Sequence, residues 1–449
     1  MTAALGRAAL SLTRLSERWV PSAFVIAVWL SFAVMAAALA LTPIGPAAAV
    51  KAWGDGLWAL ASFAMHMCLV LMTGAVIADA PVVRRGLDAL AGVPKTDRGA
   101  VAFSAFVAMV SCWFHWGLGA VAAAFLARRI ALKRPGVDYR LLTATAYFGM
   151  GAVWHAGLSG SAPLLMATPK NFLEAQVGGV IPTSETVFAP MNLALTAAVI
   201  AALTALAWLV YPARPEDAYL LSDEARARLD EAPPEPLGAQ TGGAWMAFWE
   251  GGRAVPLSLG ALGAAYVLVD WRAGTFSLTL EKLNLVFLAL AVALHRSPAD
   301  FGRSAEKAAG LVHGIVLQFP LYAGMFGVIK ASGLDKLLGE AFVQAASAKT
   351  FPLVVYWYSA VLNYFIPSGG SKWAIEAPYL LEAAKALGVP AAKVVLAYSW
   401  GDMVTDAIQP FWCIPLLAVA RLEFKEILGY MTLVFVVSGV LASAAFLLF

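Results

Sequence analysis

Long runs with no Asp, Glu, Lys or Arg constrain this chain more than any other feature. They cover 19–50, 56–78, 99–127, 141–169, 186–213, 254–269, 283–295, 308–329, 350–371, 407–420 and 427–449. A helix that crosses a bilayer needs ~20 largely apolar residues. Most of these runs suffice alone, while 283–295 needs its flanks. Only 13% of the 449 residues are charged, against roughly 25% in ordinary soluble domains. So little charge cannot coat a soluble protein of this size. In lipid every backbone polar group must be satisfied internally, so such runs have to be helices. The fold class expected is an all-α integral membrane protein embedded in a lipid bilayer. Disorder, collagen and coiled coil need other compositions. A net charge of +3 with no basic block excludes nucleic acid as a partner.

Enzyme chemistry finds no foothold. Cys68, Cys112 and Cys413 lie inside apolar runs without metal-ligand spacing, and the five histidines are scattered singly. No phosphate-binding glycine loop, nucleophile elbow or paired-histidine motif occurs. A membrane hydrolase or metalloenzyme would need a clustered His/Asp/Glu set. The chain is expected not to be an enzyme and to carry no cofactor or metal, beyond Na⁺ or H⁺ as a coupling ion.

Positive charge orients the spans, because Lys and Arg accumulate in cytoplasmic loops. Residues 1–17 read as a basic interfacial helix on the cytoplasmic side. The loop 42–56 carries only Lys51 and falls outside. The loop 79–98 (Arg84, Arg85, Lys95, Arg98) and the segment 128–140 (Arg128, Arg129, Lys133, Arg134, Arg140) both fall inside. The apolar run between them must therefore enter and leave on one side, as a re-entrant hairpin turning at Trp116-Gly117-Leu118-Gly119. The segment 141–165 goes out and 190–211 returns. Spans near 254–270, 282–295 and 308–331 follow. A second hairpin turns at Pro367-Ser368-Gly369-Gly370, 394–420 goes in, and 427–449 goes out, leaving the C-terminus outside.

Residue matches recur at a nearly constant offset. Val76-Ile77 corresponds to Val328-Ile329, Phe114 to Phe365, Gly119 to Gly370, Ala146-Tyr147 to Ala397-Tyr398, and Pro163-Leu164-Leu165 to Pro415-Leu416-Leu417. The expected organisation is a first repeat over 1–211, with its hairpin near 100–131, and a cytoplasmic linker over 212–252. An inverted second repeat over 253–449 has its hairpin near 350–388. About nine helices span. Inverted repeats with broken helices belong to secondary transporters, which bind substrate at midplane where the halves meet. An ion channel fits this plan less well than alternating access.

The breaks define the candidate site. They are the first tip (His115, Trp116, Gly117, Gly119) and the first break, with His155, Ser159, Gly160 and Ser161. The second half supplies the tip Ser368, Gly369, Gly370, Ser371 and Lys372, and the break from Asp402 through Asp406 to Gln409. Helix N-termini at tips present free N–H groups that suit an anion, and Lys372 adds positive charge. Together they suit a small carboxylate. Acids within a span are expensive and mark function. Asp402 and Asp406, four apart, share one face if the helix is continuous there. Two adjacent carboxylates in low dielectric compete for ionisation, so this pair is the candidate ion-coupling site. His66 and Gln318, at equivalent repeat positions, are expected to serve as interhelical hydrogen-bond partners, and His295, at a span end, to lie at the surface.

The runs Trp53-Gly54-Asp55-Gly56, Gln318-Phe319-Pro320, Pro367-Ser368-Gly369-Gly370 and Gln409-Pro410-Phe411-Trp412 resemble the short-chain fatty acid transporter family. So does Leu158-Ser159-Gly160-Ser161-Ala162-Pro163-Leu164-Leu165 followed by Ala167-Thr168-Pro169. The resemblance covers nearly the whole chain. It implies a bacterial inner-membrane carrier for butyrate- or acetoacetate-like acids within the ion-transporter superfamily. It also implies paired hairpins, a scaffold and a moving transport part, a homodimer and an elevator-type mechanism. Lys372 keeps open an alternative substrate class, dicarboxylates or another small organic anion.

Overall fold

The computed structural model describes residues 23–230, 243–413, 416–417 and 420–448, and within them every regular element is a helix. The basic segment 1–17 and the linker prolines Pro233, Pro234 and Pro236 lie outside these residues. Among the described residues six helical stretches are long and apolar enough to cross a membrane: Ala61–Asp79, Asp97–Phe114, Pro190–Leu209, Ala244–Arg272, His313–Ser332 and Phe424–Leu448. At 1.5 Å per residue, 19 residues (Ala61–Asp79) span roughly 28 Å, close to the hydrocarbon thickness.

In chain order the first half contains α1 (Ala23–Leu41), α2 (Pro46–Gly56), α3 (Ala61–Asp79), α4 (Pro81–Leu90), α5 (Asp97–Phe114), α6 (Trp116–Lys133), α7 (Tyr139–Ala152), α8 (Ser161–Ala167) and α9 (Pro190–Leu209). The second contains α10 (Ala254–Arg272), α11 (Leu280–Ala293), α12 (Pro298–Ala309), α13 (His313–Ser332), α14 (Leu334–Ala345), α15 (Phe351–Phe365), α16 (Gly369–Leu387), α17 (Ala391–Val404) and α18 (Phe424–Leu448). Much of the expected loop 42–56 is helical, because Pro46 starts a helix at its first position, where the missing N–H costs nothing.

The order of elements recurs. Both α3 and α13, starting at residues 61 and 313, and α7 and α17, starting at 139 and 391, begin 252 apart. Helix α5 packs along α7 as α15 packs along α17. Each contact depends on a glycine. A Cβ at Gly149 would lie 2.4 Å from the Ala108 carbonyl, and one at Gly401 would lie 2.1 Å from the Tyr356 carbonyl. Helices α5 and α6 are joined by His115 alone and lie side by side, so that Arg134 returns to the start of α5, donating to Asp97 Oδ1 at 2.7 Å. At the same end of α7, Arg140 pairs with Glu426 of α18 at 2.8 Å.

The molecule is apolar outside and charged within. Trp29 is 61% exposed, Phe32 72% and Trp271 68%, while Lys372, Glu376 and Asp402 are wholly buried. A bilayer solvates such a surface, and charges inside it must find partners. One expectation is corrected here. His295 is buried, with Nδ1 2.7 Å from the Ala291 carbonyl, because α11 ends against α12 and not in solvent. His66 makes the expected interhelical bond, to Asn284 of α11, because α11 packs along α3.

Candidate functional site

The first tip is closed by its own side chains. His115, the N-cap of α6, is extended (φ −161°, ψ 109°) and its Nδ1 accepts from the Leu118 N–H at 3.1 Å. The Trp116 N–H donates to Ser159 Oγ at 2.9 Å. Two donors of the first turn are thereby satisfied within the protein. The His115 ring stacks on Phe287 of α11, with centroids 3.9 Å apart. Gly117 and Gly119 let α6 lie against the Val70 carbonyl of α3 and against Cys112 of α5.

The second tip is different. Ser368, the N-cap of α16, makes no side-chain capping bond, and the Ser371 hydroxyl turns back to Ser368 Oγ. The N-terminus of a 19-residue helix, with its partial positive charge, is left without the cap found on α6.

Behind this tip lies a buried polar cluster. The Lys372 ammonium meets Glu376 Oε1 at 2.9 Å, the Ser359 carbonyl at 3.1 Å and Asp402 Oδ1 at 3.2 Å. Ser359 Oγ donates to Glu376 Oε2 at 2.5 Å. Tyr398 donates to the Gly369 carbonyl at 2.6 Å and its ring faces Lys372 Nζ at 4.3 Å. His155 Nε2 accepts the Ala162 backbone N–H at 3.1 Å and lies 3.0 Å from Ser161 Oγ. A backbone N–H only donates, so Nε2 carries no proton. The proton sits on Nδ1 and is donated to Asp402 Oδ2 at 2.7 Å. His155 is therefore neutral, and Lys372 is the one cation in contact with Asp402 among the described residues.

Asp402 and Asp406 do not share a helical face. Helix α17 stops at Val404, and Asp406 belongs to a tighter turn, Thr405–Ile408. That turn swings Asp406 away from Lys372. Its Oδ1 accepts from Asn363 at 2.8 Å and its Oδ2 from Trp154 at 3.0 Å, both neutral donors. Gln409 faces its own loop, accepting the Phe411 N–H at 2.9 Å.

The four breaks meet at one cavity of about 30 Å³. Trp116 comes from the first tip, Trp154 and Ser161 from the first break, Ser368, Gly369 and Gly370 from the second tip, and Trp412 from the second break. The space holds about two waters. A second, largely apolar cavity of about 500 Å³ adjoins it, sharing Trp116, Met150 and Trp412, and runs past Tyr147 to Asp79, Ser304 and Lys307.

Of the residues singled out in the sequence, Trp116, Ser161, Ser368, Gly369 and Gly370 line the small cavity. His155, Ser159, Ser371, Lys372, Asp402 and Asp406 support it from behind; Gly160 packs on the His155 carbonyl, where a Cβ would come within 2.3 Å. The Lys372 ammonium is not on the cavity wall. Ser359, Asn363, Tyr398 and Trp154 were missed. Ser359 and Asn363 carried a signal, being polar residues four apart inside an apolar run. Among the described residues no three His, Cys, Asp or Glu side chains are placed to hold a metal.

Comparison with known proteins places this geometry. Two solved transporters share the fold over nearly the whole chain. One is the YdaH transporter of Alcanivorax borkumensis, described as having an unusual topology, with TM-score 0.59 at 17% identity. The match covers 95% of this chain and 97% of that one. The other is MtrF of Neisseria gonorrhoeae, described within a class of antimetabolite efflux pumps, with TM-score 0.62 at 16% identity. It covers 98% of this chain and 97% of that one. In sequence, the chain is 36% identical to an Escherichia coli (strain K12) protein named for short-chain fatty acid transport, over 97% of this chain and 98% of the relative. It is 32% identical to a Haemophilus influenzae protein named the same way, over 95% and 96%. The short chain fatty acid transporter model matches residues 4–449. The family match and the names of both relatives point to a transporter and not an enzyme, and this multi-pass helical membrane protein belongs to the short-chain fatty acid transporter family.

Proposed function

We propose that the protein carries short-chain monocarboxylates such as butyrate or acetoacetate across the bacterial cytoplasmic membrane, driven by an H⁺ or Na⁺ gradient. The observation that carries this reading is the unequal capping of the two tips. The first helix N-terminus is closed by His115 and Ser159, while that of α16 faces the shared cavity with no side-chain cap. Backbone N–H groups there, with the Ser161 and Ser368 hydroxyls, suit a carboxylate. Trp116, Trp154 and Trp412 suit a short alkyl tail.

The α5–α6 and α15–α16 pairs act as re-entrant hairpins of an inverted repeat, 1–211 and 253–449, joined by the cytoplasmic linker 212–252. The recurrence of elements 252 apart and the equivalent glycines Gly149 and Gly401 support this. The N-terminus is cytoplasmic and the C-terminus periplasmic. In that orientation the large cavity opens to the cytoplasm beside Asp79 and Lys307. The small cavity is too narrow for butyrate, so binding parts the tips. An elevator movement of the hairpins against a scaffold then exposes the site alternately, in a homodimer.

Asp406, held by two neutral donors, is the proton-coupling candidate, with Asp402 beside it. Uptake of labelled butyrate into proteoliposomes under separate H⁺ and Na⁺ gradients tests the reading. No gradient-driven uptake of any C2–C6 acid would refute it. Asp406→Asn is expected to abolish stimulation by an inward proton gradient while sparing butyrate exchange. Unchanged pH dependence in both this variant and Asp402→Asn would remove the proton role.

A further inference from the structure

We propose that the Lys372 ammonium is a tethered monovalent cation: it fills an oxygen-lined cation position between α15, α16 and α17, so the carrier needs no free Na⁺ or K⁺ there. The inference deepens the transport reading above, from which it takes only that the region is a coupling site.

Three oxygens from three helices converge on Nζ. They are the Ser359 carbonyl of α15, Glu376 Oε1 of α16 and Asp402 Oδ1 of α17, at 3.1, 2.9 and 3.2 Å. An ammonium has three protons, and this shell offers three acceptors. The Tyr398 ring closes one side at 4.3 Å, as an aromatic face does for a cation. All four side chains (Lys372, Glu376, Tyr398 and Asp402) are fully buried.

The remaining oxygens of the two acids are occupied by neutral donors, Ser359 Oγ on Glu376 and His155 Nδ1–H on Asp402. Two carboxylates thus share one charge-balancing cation that cannot leave. A free ion would have to bind and dissociate in each cycle to couple transport, whereas a lysine on the backbone of α16 stays. The oxygens come from separate elements, so removing the ammonium leaves an inward-facing oxygen shell with excess negative charge. Such a shell attracts a small monovalent cation.

The test needs neither substrate nor gradient, so it stands or falls separately from uptake. Thermal unfolding of the purified full-length protein is followed in N-methylglucamine chloride with rising NaCl or KCl at fixed ionic strength. The wild type sets the baseline, including any shift from a coupling ion bound elsewhere. Lys372→Ala is expected to unfold several degrees lower, and Na⁺ or K⁺ should raise its midpoint saturably above that baseline response. Lys372→Ala/Asp402→Asn, which loses one charged ligand, should lose the added response. Equal salt responses of Lys372→Ala and wild type would overturn the proposal. Failure of Lys372→Ala to survive purification even in NaCl and KCl would also overturn it, because the vacated shell should then have taken up the ion.

Discussion

Gly369→Val is expected to lower the initial rate of carboxylate uptake by about tenfold or more without preventing insertion or folding. A Cβ on Gly369 would lie 2.7 Å from Asp402 Oδ2, from His155 Cε1 and from Trp154 Cη2. None of the three can yield easily. Asp402 is bound to Lys372 and His155, the Trp154 indole N–H is held by Asp406, and the Trp154 and His155 rings stack 4.4 Å apart. Overpacking of this kind costs typically 1–3 kcal/mol, and about 1.4 kcal/mol is a factor of ten. The strain falls on the tip proposed to receive the carboxylate, so the rate should fall further than the unfolding temperature. Gly302→Ala is the control, since a Cβ there meets nothing within 4 Å. Uptake by Gly369→Val at the wild-type rate would mean that the second tip is not held against the first break.

Lys372→Ala, in medium free of small monovalent cations, should destabilise the protein by about 3–5 kcal/mol, the cost of leaving a buried charge without its partner. The figure covers the carboxylates, not the contact alone. For that reason Lys372→Met/Glu376→Gln/Asp402→Asn, which removes the charges together and keeps the volumes, should recover most of the loss. Comparing the two unfolding midpoints separates charge from packing. A triple variant as unstable as Lys372→Ala would assign the loss to packing around the lysine stem. The triple variant should still lack coupled uptake, because His155 and Tyr398 would then face neutral amides.

Much of this organisation is legible in the chain because lipid leaves few choices. A run without charge must be a helix, and a Pro-Ser-Gly-Gly sequence inside one must end it. The tip at Ser368–Gly369 follows from that punctuation, and the one at His115–Trp116 from the positive charge on both flanks of its run. The partners of the acids do not. Asp402 and Asp406 would share a face on a regular helix, yet nothing in Val404-Thr405-Asp406 announces that the helix tightens there and sends the second acid toward Asn363 and Trp154. Lys372, placed by sequence beside an anion, is consumed by two acids: Glu376, one turn further along α16, and Asp402, reached only through the packing of α17. One clue was present. Trp154 and Asp406, which bond each other, stand 252 residues apart, the same spacing that separates the starts of α7 and α17. Equivalent positions in the two halves touch.

Among the described residues helix α10 rests chiefly against α11 and the short helix Ala244–Gly251 before it, and its outer face, with Leu262, Val269 and Trp271, is largely exposed. Its adhesive is the membrane. In a micelle this seam is the first to delaminate, since few contacts within the protein oppose its opening. The polar centre around Lys372, sealed by α15, α16 and α17, should outlast it. A preparation can then shed its outer arm while its interior stays assembled, and choosing a detergent becomes a question of how well it mimics the acyl chains beside Leu262 and Val269.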